Sequence, residues 1–425
     1  MSLSKINLVI IGHKDHGKST LIGRLLYDSN AIPEQKMQEV EAELKKAGDE
    51  GFRFAFLLDT LEEERRGGLT IDIMQTPFNT SRHLYTIIDC PGHREFIKKM
   101  FTGASQADAA VLVVSAKEGI QDQTKQHAFL IKTLGIKQLV VAVNKMDVAN
   151  YEEAAFKEIC KDLRPILISL DYKNPPIIPL SALNGENVFK KSEKMPWHKG
   201  SSLIETLDET VMPSAPPIDK PLRASVQDVY EIEGKKIVVC KILTGKLQEG
   251  KIVDFDPSGE EGTVKKIEMF GKEIQEAGPG DSVGLIVNKL EAAKRGEVIS
   301  SPENRVKTVK SFVAEMILFS DVEVKNHDVL MIRCGTAENE CKVEKILERI
   351  DPVNLTVDAE CPEALKNGDV GKIQFSPLEP MCVEEYSEFP ELGRFVVEGK
   401  RGTMAAGIIL HVQSKSSSHR ISGGS

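Results

Sequence analysis

The sequence predicts a doubly wound α/β domain followed by two β-barrel domains, and three observations predict it. Up to about Met212, β-branched runs alternate with segments of helical apolar spacing, the pattern of a parallel sheet flanked by helices. Pro213-Ser214-Ala215-Pro216-Pro217 then has the composition of a linker. Beyond it, short runs such as Ile237 to Leu243 and Ser282 to Val287 are punctuated by Gly245, Gly250, Gly262, Gly271 and Gly280, the regular turn signals of barrels. A second boundary near Ser301-Pro302 separates two such barrels. The division expected is 1–212 for the α/β domain and 218–302 and 305–413 for the barrels. A Ser- and Gly-rich tail at 414–425 is expected to be disordered.

The first strand is the apolar run Ile6 to Ile11. Gly12-His13-Lys14-Asp15-His16-Gly17-Lys18-Ser19 follows it, fits G-x-x-x-x-G-K-[ST], and leads into a segment with apolar residues at Leu21, Ile22, Leu25 and Leu26. Strand, loop and helix in that order are what a phosphate loop requires, and they weigh against a Gly-rich turn with a lone lysine. Glycines at both ends let the backbone wrap closely around an anion, so that successive N–H groups and the helix N-terminus point at phosphates. Lys18 brings charge toward the β and γ groups. Ser19 offers its hydroxyl to Mg²⁺. The nucleotide-binding set read from this stretch is Gly12, His13, Asp15, His16, Gly17, Lys18, Ser19 and Thr20.

Thr70 lies in the charged loop Leu61 to Ile71. It is either an exposed loop threonine or a residue that closes onto Mg²⁺ and the γ-phosphate when GTP is present, and Gly67-Gly68 favours the mobile reading. Asp89 ends the apolar strand Leu84 to Ile88 and precedes Cys90-Pro91-Gly92-His93. Its carboxylate can hold Mg²⁺ through water while the Gly92 N–H faces the γ-phosphate. A loop histidine is commonly structural, yet His93, one residue past that glycine, is placed to orient an attacking water. Helical patterns follow at Arg94 to Gly103 and Asp122 to Leu134. Asn144-Lys145-Met146-Asp147 then closes the strand Gln138 to Val143, at a carboxyl end where open α/β sheets bind ligands. Asp147 can accept from the ring N–H and the amino group of guanine, whereas adenine would turn an acceptor toward it. Ser181-Ala182-Leu183 supplies backbone amides for the guanine carbonyl. An N-K-x-D alone is a weak signal; between a phosphate loop and this third stretch it points to GTP and GDP, and the α/β domain reads as a P-loop GTPase domain.

Bulk properties agree. At 425 residues, 41% hydrophobic and 28% charged, the chain has globular composition and room for two or three domains. Met1 to Lys5 carries no long apolar run, so no membrane span or secretion signal is expected there. Seven scattered cysteines without a Cys-x-x-Cys pair suit a reducing cytoplasm better than disulfides or zinc. A net charge of −9 argues against wholesale coating by nucleic acid, so such a partner needs a local basic face.

The ordered motifs resemble a translational GTPase of the elongation factor 1-alpha and elongation factor Tu family, over nearly the whole chain. Phe96 to Ala116 and Met195-Pro196-Trp197-His198-Lys199-Gly200 are similar to the family's first domain. Pro221-Leu222-Arg223, Val226 to Tyr230, Glu268-Met269 and Gly278-Pro279-Gly280-Asp281 are similar to its second, and Leu392-Gly393-Arg394-Phe395 and Ala405-Ala406-Gly407 to its third. The resemblance implies GTP hydrolysis with His93 as the catalytic residue, and the ribosome, aminoacyl-tRNA and a nucleotide exchange factor as partners, without a membrane.

Departures matter as much. The family usually has a small apolar residue at Lys14, paired with the position of Leu69; a lysine there either reaches the γ-phosphate or swings to solvent. Gly67 replaces the usual arginine before the switch glycine, and Ser282 replaces the usual asparagine after Gly280-Asp281. The family's His-Cys-His-Thr-Ala pattern reads Ile332-Arg333-Cys334-Gly335-Thr336-Ala337, and its Arg-Asp or Arg-Glu pair aligns with Glu398-Gly399, near Lys400-Arg401. Three functions fit: delivery of aminoacyl-tRNA or a specialised tRNA to the ribosome; carriage of a release or rescue protein by the same architecture; and the GTPase subunit of sulfate adenylyltransferase. Gly23 to Ser29, Thr70-Ile71-Asp72-Ile73 and Gly119 to His127 are similar to that last subunit, which typically lacks the Gly393-Arg394-Phe395 ending and has Asp in place of His16.

Overall fold

The structure, a computed structural model, describes residues 4–32, 38, 54, 74–89, 107–133, 135–213, 216–232, 235–319, 321–352, 354, 356–400 and 402–414. The chain divides into two compact units at 214/215, the segment Pro352–Leu355 grouping with the first. The helical pattern expected at Arg94 to Gly103 and the tail beyond Ser414 lie outside the described residues.

In the first unit β1 (Ser4–Gly12), β2 (Met74–Asn79), β3 (His83–Asp89), β4 (Ala109–Ser115), β5 (Gln138–Asn144) and β6 (Ile177–Pro179) form a six-stranded sheet in the order β2-β3-β1-β4-β5-β6. Only β2 runs antiparallel, against β3; the other neighbours pair in parallel. Parallel sheets are covered on both faces, which is why these strands read as continuous apolar runs and every residue of β4 is buried. The first strand begins two residues before its apolar run, because the ladder to β3 starts at Ser4↔His83.

Helices α1 (Lys18–Asp28), α2 (Asp122–Thr133), α3 (Glu153–Ser169) and α4 (Leu203–Thr210) follow β1, β4, β5 and β6. Leu21, Ile22, Leu25 and Leu26 of α1 share one core with Ile6, Leu8 and Ile10 of β1, as their spacing requires. A capping box starts α4: the Ser202 hydroxyl accepts from Glu205 N at 3.3 Å and the Glu205 carboxylate from Ser202 N at 2.8 Å. Strand order reverses at β1, with β3 on one side and β4, β5 and β6 on the other. That reversal makes the carboxyl end of β1 the sheet's switch point, the usual ligand crevice of an open α/β sheet. Among the described residues no helix is long and apolar enough to cross a membrane.

The second unit holds two antiparallel barrels. The first comprises β7 (Arg223–Ile232), β8 (Lys235–Thr244), β9 (Leu247–Gln248), β10 (Ile252–Asp256), β11 (Glu260–Met269), β12 (Lys272–Ile274), β13 (Glu276–Ala277), β14 (Ser282–Val287) and β15 (Val298–Ser300). The ring β10-β15-β7-β8-β14-β11 closes through a β10–β11 pairing, with β12 added on β11 and a β9–β13 ribbon alongside. The second comprises β16 (Val309–Leu318), β17 (Val324–Lys325), β18 (Val329–Cys334), β19 (Ala337–Asp351), β20 (Thr356–Glu360), β21 (Ala364–Leu365), β22 (Val370–Pro377), β23 (Arg394–Gly399) and β24 (Gly402–Ser414). Its ring β18-β23-β24-β16-β22-β19 closes through β18–β19. Closure removes the edges that open antiparallel sheets would expose. Alternating residues fill each interior, Phe255 and Leu285 in the first barrel and Phe312, Phe375 and Phe395 in the second.

Candidate nucleotide-binding site

The phosphate-loop stretch sits at the carboxyl end of β1. Gly12, its last residue, has φ +147° and Gly17 has φ +85°; one 3₁₀ turn, Lys14–His16, lies between them. A Cβ at Gly12 would stand 2.3 Å from the Val113 carbonyl oxygen, and one at Gly17 2.5 Å from Asn144 Nδ2. Both positions therefore demand glycine by space as well as by backbone angle. Lys18 opens α1 and its Nζ donates to the carbonyls of Gly12 at 2.9 Å and His13 at 3.0 Å. Ser19 and Thr20 occupy the helix's first turn, where N–H groups have no partner inside the helix.

His13 Nδ1 accepts from Asp15 N at 3.3 Å, while Lys14 and Asp15 are exposed. His16 is buried, with Nδ1 3.1 Å from the Val113 carbonyl, which can only accept. Burial holds its imidazole below the ordinary histidine range against the opposing pull of that bond, so Nδ1 carries the proton of a neutral ring. Among the described residues nothing reaches its buried Nε2.

Asn144, ending β5, joins two of the predicted stretches. Its Nδ2 donates to His16 O at 3.0 Å and its Oδ1 accepts from Ala182 N at 2.9 Å. Asp147 Oδ1 accepts from the Ser181 hydroxyl at 2.5 Å, and the same hydroxyl accepts from Asn184 N at 3.3 Å. Lys145, at φ +62°, pairs with Glu118 Oε1 at 3.2 Å. The Glu118 carboxyl is pushed up by burial, but the Ser115 hydroxyl and Lys145 outweigh this and hold it below the usual range. Leu183 turns outward.

Residues 12–20, 144–147 and 181–183, far apart in sequence, thus converge at one end of the sheet. Asp89 ends β3 next to β1, and of it only the backbone is described. Thr70, Gly92 and His93 lie outside the described residues. Sequence reasoning missed the supporting groups Ser115, Glu118 and Arg24. A serine closing an apolar strand and the Arg24–Asp28 spacing of four were the available signals; Glu118 had none.

Fold and site define a P-loop nucleotide-binding protein that carries paired barrels. The family model for the Elongation factor Tu GTP binding domain matches residues 4–213, that for Elongation factor Tu domain 2 matches 235–300, and that for the GTP-eEF1A C-terminal domain-like family matches 311–410. Elongation factor 1-alpha of Methanospirillum hungatei is 43% identical over 96% of this chain and 98% of its own length. That of Pyrococcus furiosus is 44% identical over the same shares. A crystal structure of sup35 complexed with GDP is similar over 97% of this chain and 95% of that chain, at 25% identity and a TM-score of 0.45, too loose a superposition to carry an argument. The chain belongs to the elongation factor 1-alpha and elongation factor Tu family of translational GTPases.

Proposed function

We propose that this GTPase delivers aminoacyl-tRNA, or a specialised tRNA, to the ribosome in the cytoplasm, with hydrolysis licensing release. One observation supports the site most: the Asn144 amide holds the phosphate loop and the Ser181–Ala182 stretch together, so phosphates and base would be read by one rigid constellation. Relatives named elongation factor 1-alpha along almost the full length support the delivery role.

In this reading Asp147, oriented by Ser181, accepts from the donor edge of guanine, and the Ala182 N–H exchanges Asn144 Oδ1 for the guanine carbonyl. Lys18 exchanges its two loop carbonyls for the phosphates, and the N–H groups of Gly12 to Thr20 surround them. The hydroxyls of Ser19 and Thr70 and the Asp89 carboxylate are hard oxygen donors suited to Mg²⁺, which when bound neutralises phosphate charge. His93 orients the attacking water. The bounds are 1–212 for the GTP-binding domain, 218–302 and 305–413 for the barrels and 414–425 for the tail, and a nucleotide exchange factor completes the cycle.

A second reading, carriage of a release or rescue protein, is favoured by Glu398. Its carboxylate accepts from the Thr403 hydroxyl at 3.2 Å and lies 3.8 Å from Arg333, so an acidic group is held where the family usually presents arginine. Filter binding of charged and uncharged tRNA to the GTP- and GDP-bound chain decides. Delivery requires charged tRNA to bind the GTP form selectively, with affinity falling steeply with salt. No such binding at low salt, with a purified release factor or sulfurylase catalytic subunit held by the GTP form instead, overturns it.

A further inference from the structure

We propose that Arg24 is a positioning residue for the base-reading side of the nucleotide site, a role that rests on the assignment of Asp147, Ser181 and Ala182 to guanine. Arg24 lies on α1, yet its guanidinium reaches the turn that carries Ser181 to Gly185. Its Nε donates to Asp28 Oδ2 at 2.9 Å, one helical turn on, which fixes the plane of the group. Its Nη1 donates to the Leu183 carbonyl at 3.5 Å. Gly185, at φ +76°, lies so close that a Cβ there would stand 2.0 Å from Arg24 Nη2 and 2.6 Å from Cζ. The guanidinium lies over the ring of Phe54, 5.0 Å from Cζ to centroid, and over that of Tyr27 at 5.8 Å.

The guanidinium is thus packed between aromatic rings and the backbone of the turn, and its side chain is only 16% exposed. The turn needs such support. Leu183 at its tip is exposed, and the turn is held by Ala182 in the core, Ser181 N on Glu186 O, Ser181 on Asp147, Ala182 on Asn144, Asn184 on Tyr151 and this arginine. The bonds to Asp147 and Asn144 set where the Asp147 carboxylate and the Ala182 N–H stand. Arg24 acts through them, touching neither base nor phosphate, and a displacement of about 1 Å at such a distance is enough to degrade recognition.

This assignment makes an asymmetric expectation. GDP uses both the base-reading turn and the phosphate loop, whereas ADP uses only the second. In the full chain, Arg24→Met should weaken GDP about tenfold, equivalent to about 1.4 kcal/mol, and leave ADP within about twofold in direct titrations. Arg24→Lys keeps the charge beside Asp28 but loses the flat contact, and should behave like the methionine variant. Asp28→Asn removes the carboxylate that fixes the plane of the guanidinium and should produce a selective loss of the same kind, which keeps the test open if Arg24→Met folds poorly. Equal weakening of GDP and ADP would mean that Arg24 only steadies the phosphate-loop helix, and unchanged GDP affinity would mean that it positions nothing; either result overturns the inference. Asp147→Asn is measured beside them: if it leaves base preference intact, the base-reading assignment fails, a result distinct from failure at Arg24 alone.

Discussion

Asn144 concentrates the site at the scale of one residue. Its buried amide satisfies His16 O and Ala182 N at once, so Asn144→Ala leaves two groups unpaired in a dry place. The expected loss is about 1–3 kcal/mol of stability per group left unsatisfied, together with a fall in GDP affinity of about tenfold or more. Thermal unfolding and direct titration check both, and unchanged GDP binding would show that the bridge is idle. Asp147→Asn should instead leave the fold intact and move preference from guanosine toward xanthosine nucleotides, because the new amide presents a donor where the carboxylate accepted. A wild-type chain binding ATP as tightly as GTP would remove Asp147 from base reading. His93→Ala should lower partner-stimulated hydrolysis by about 10²-fold or more with nucleotide affinity within a few-fold, read by turnover with the activating partner present. The types and order of these residues were legible in the sequence, since each chemistry needs its own side chain. The hydrogen bonds among them were not, because Asn144 and Ala182 meet only after β5 and β6 have paired.

At the scale of elements, local signals served best where one strand decides its own face. β14 is legible as Ser282–Val287 because buried and less buried residues alternate along it. Barrel closure was not legible residue by residue: β18 pairs with β23 across some sixty intervening residues, and no local pattern encodes so distant a register. Nor did the sequence reveal Glu297, which immediately precedes β15 and is only 1% exposed. Its Oε1 accepts from Ser258 N at 3.2 Å, and among the described residues nothing reaches Oε2. Burial raises its carboxyl above the ordinary range despite the Ser258 bonds. The sign follows. Well below the ordinary carboxylate range the group is protonated whether folded or not and costs nothing; as pH rises through its folded pKa, the penalty on the buried charge appears and stability falls. Glu297→Gln, which keeps the shape but cannot ionise, should therefore be the more stable form at pH 7 and lose its advantage near about pH 4. Unfolding measured at both pH values tests this, and an advantage that does not depend on pH would sink it.

At the scale of the whole chain, the two barrels of the second unit are joined by a buried arginine rather than by apolar packing alone. Arg223 opens β7 in the first barrel and is 3% exposed. Its Nε and Nη2 reach Glu384 of the second barrel at 2.9 and 2.8 Å, and its Nη1 donates to the Asn304 carbonyl between the barrels at 2.8 Å. The ring of Phe389 lies over the guanidinium at 4.7 Å. From the connecting segment Arg305 turns back onto Asp256 at 2.8 Å and Asp254 at 3.6 Å, while Val298, Val306, Cys382 and Leu392 form a small apolar seam. Desolvating Arg223 is unfavourable unless its partners stay in place, so the seam should hold the barrels as one cooperative body. Hydrogen exchange in rising denaturant tests this on the full chain. Amides of β7 to β15 and of β16 to β24 should lose protection at a common midpoint. Arg223→Met strands Glu384 and removes the link through Asn304, a loss of about 3–5 kcal/mol for breaking a buried pair, and should separate the two midpoints. If the wild-type barrels already open at different midpoints, the seam does not couple them; if they stay together in the variant, the apolar cluster alone suffices and Arg223 is not the joint.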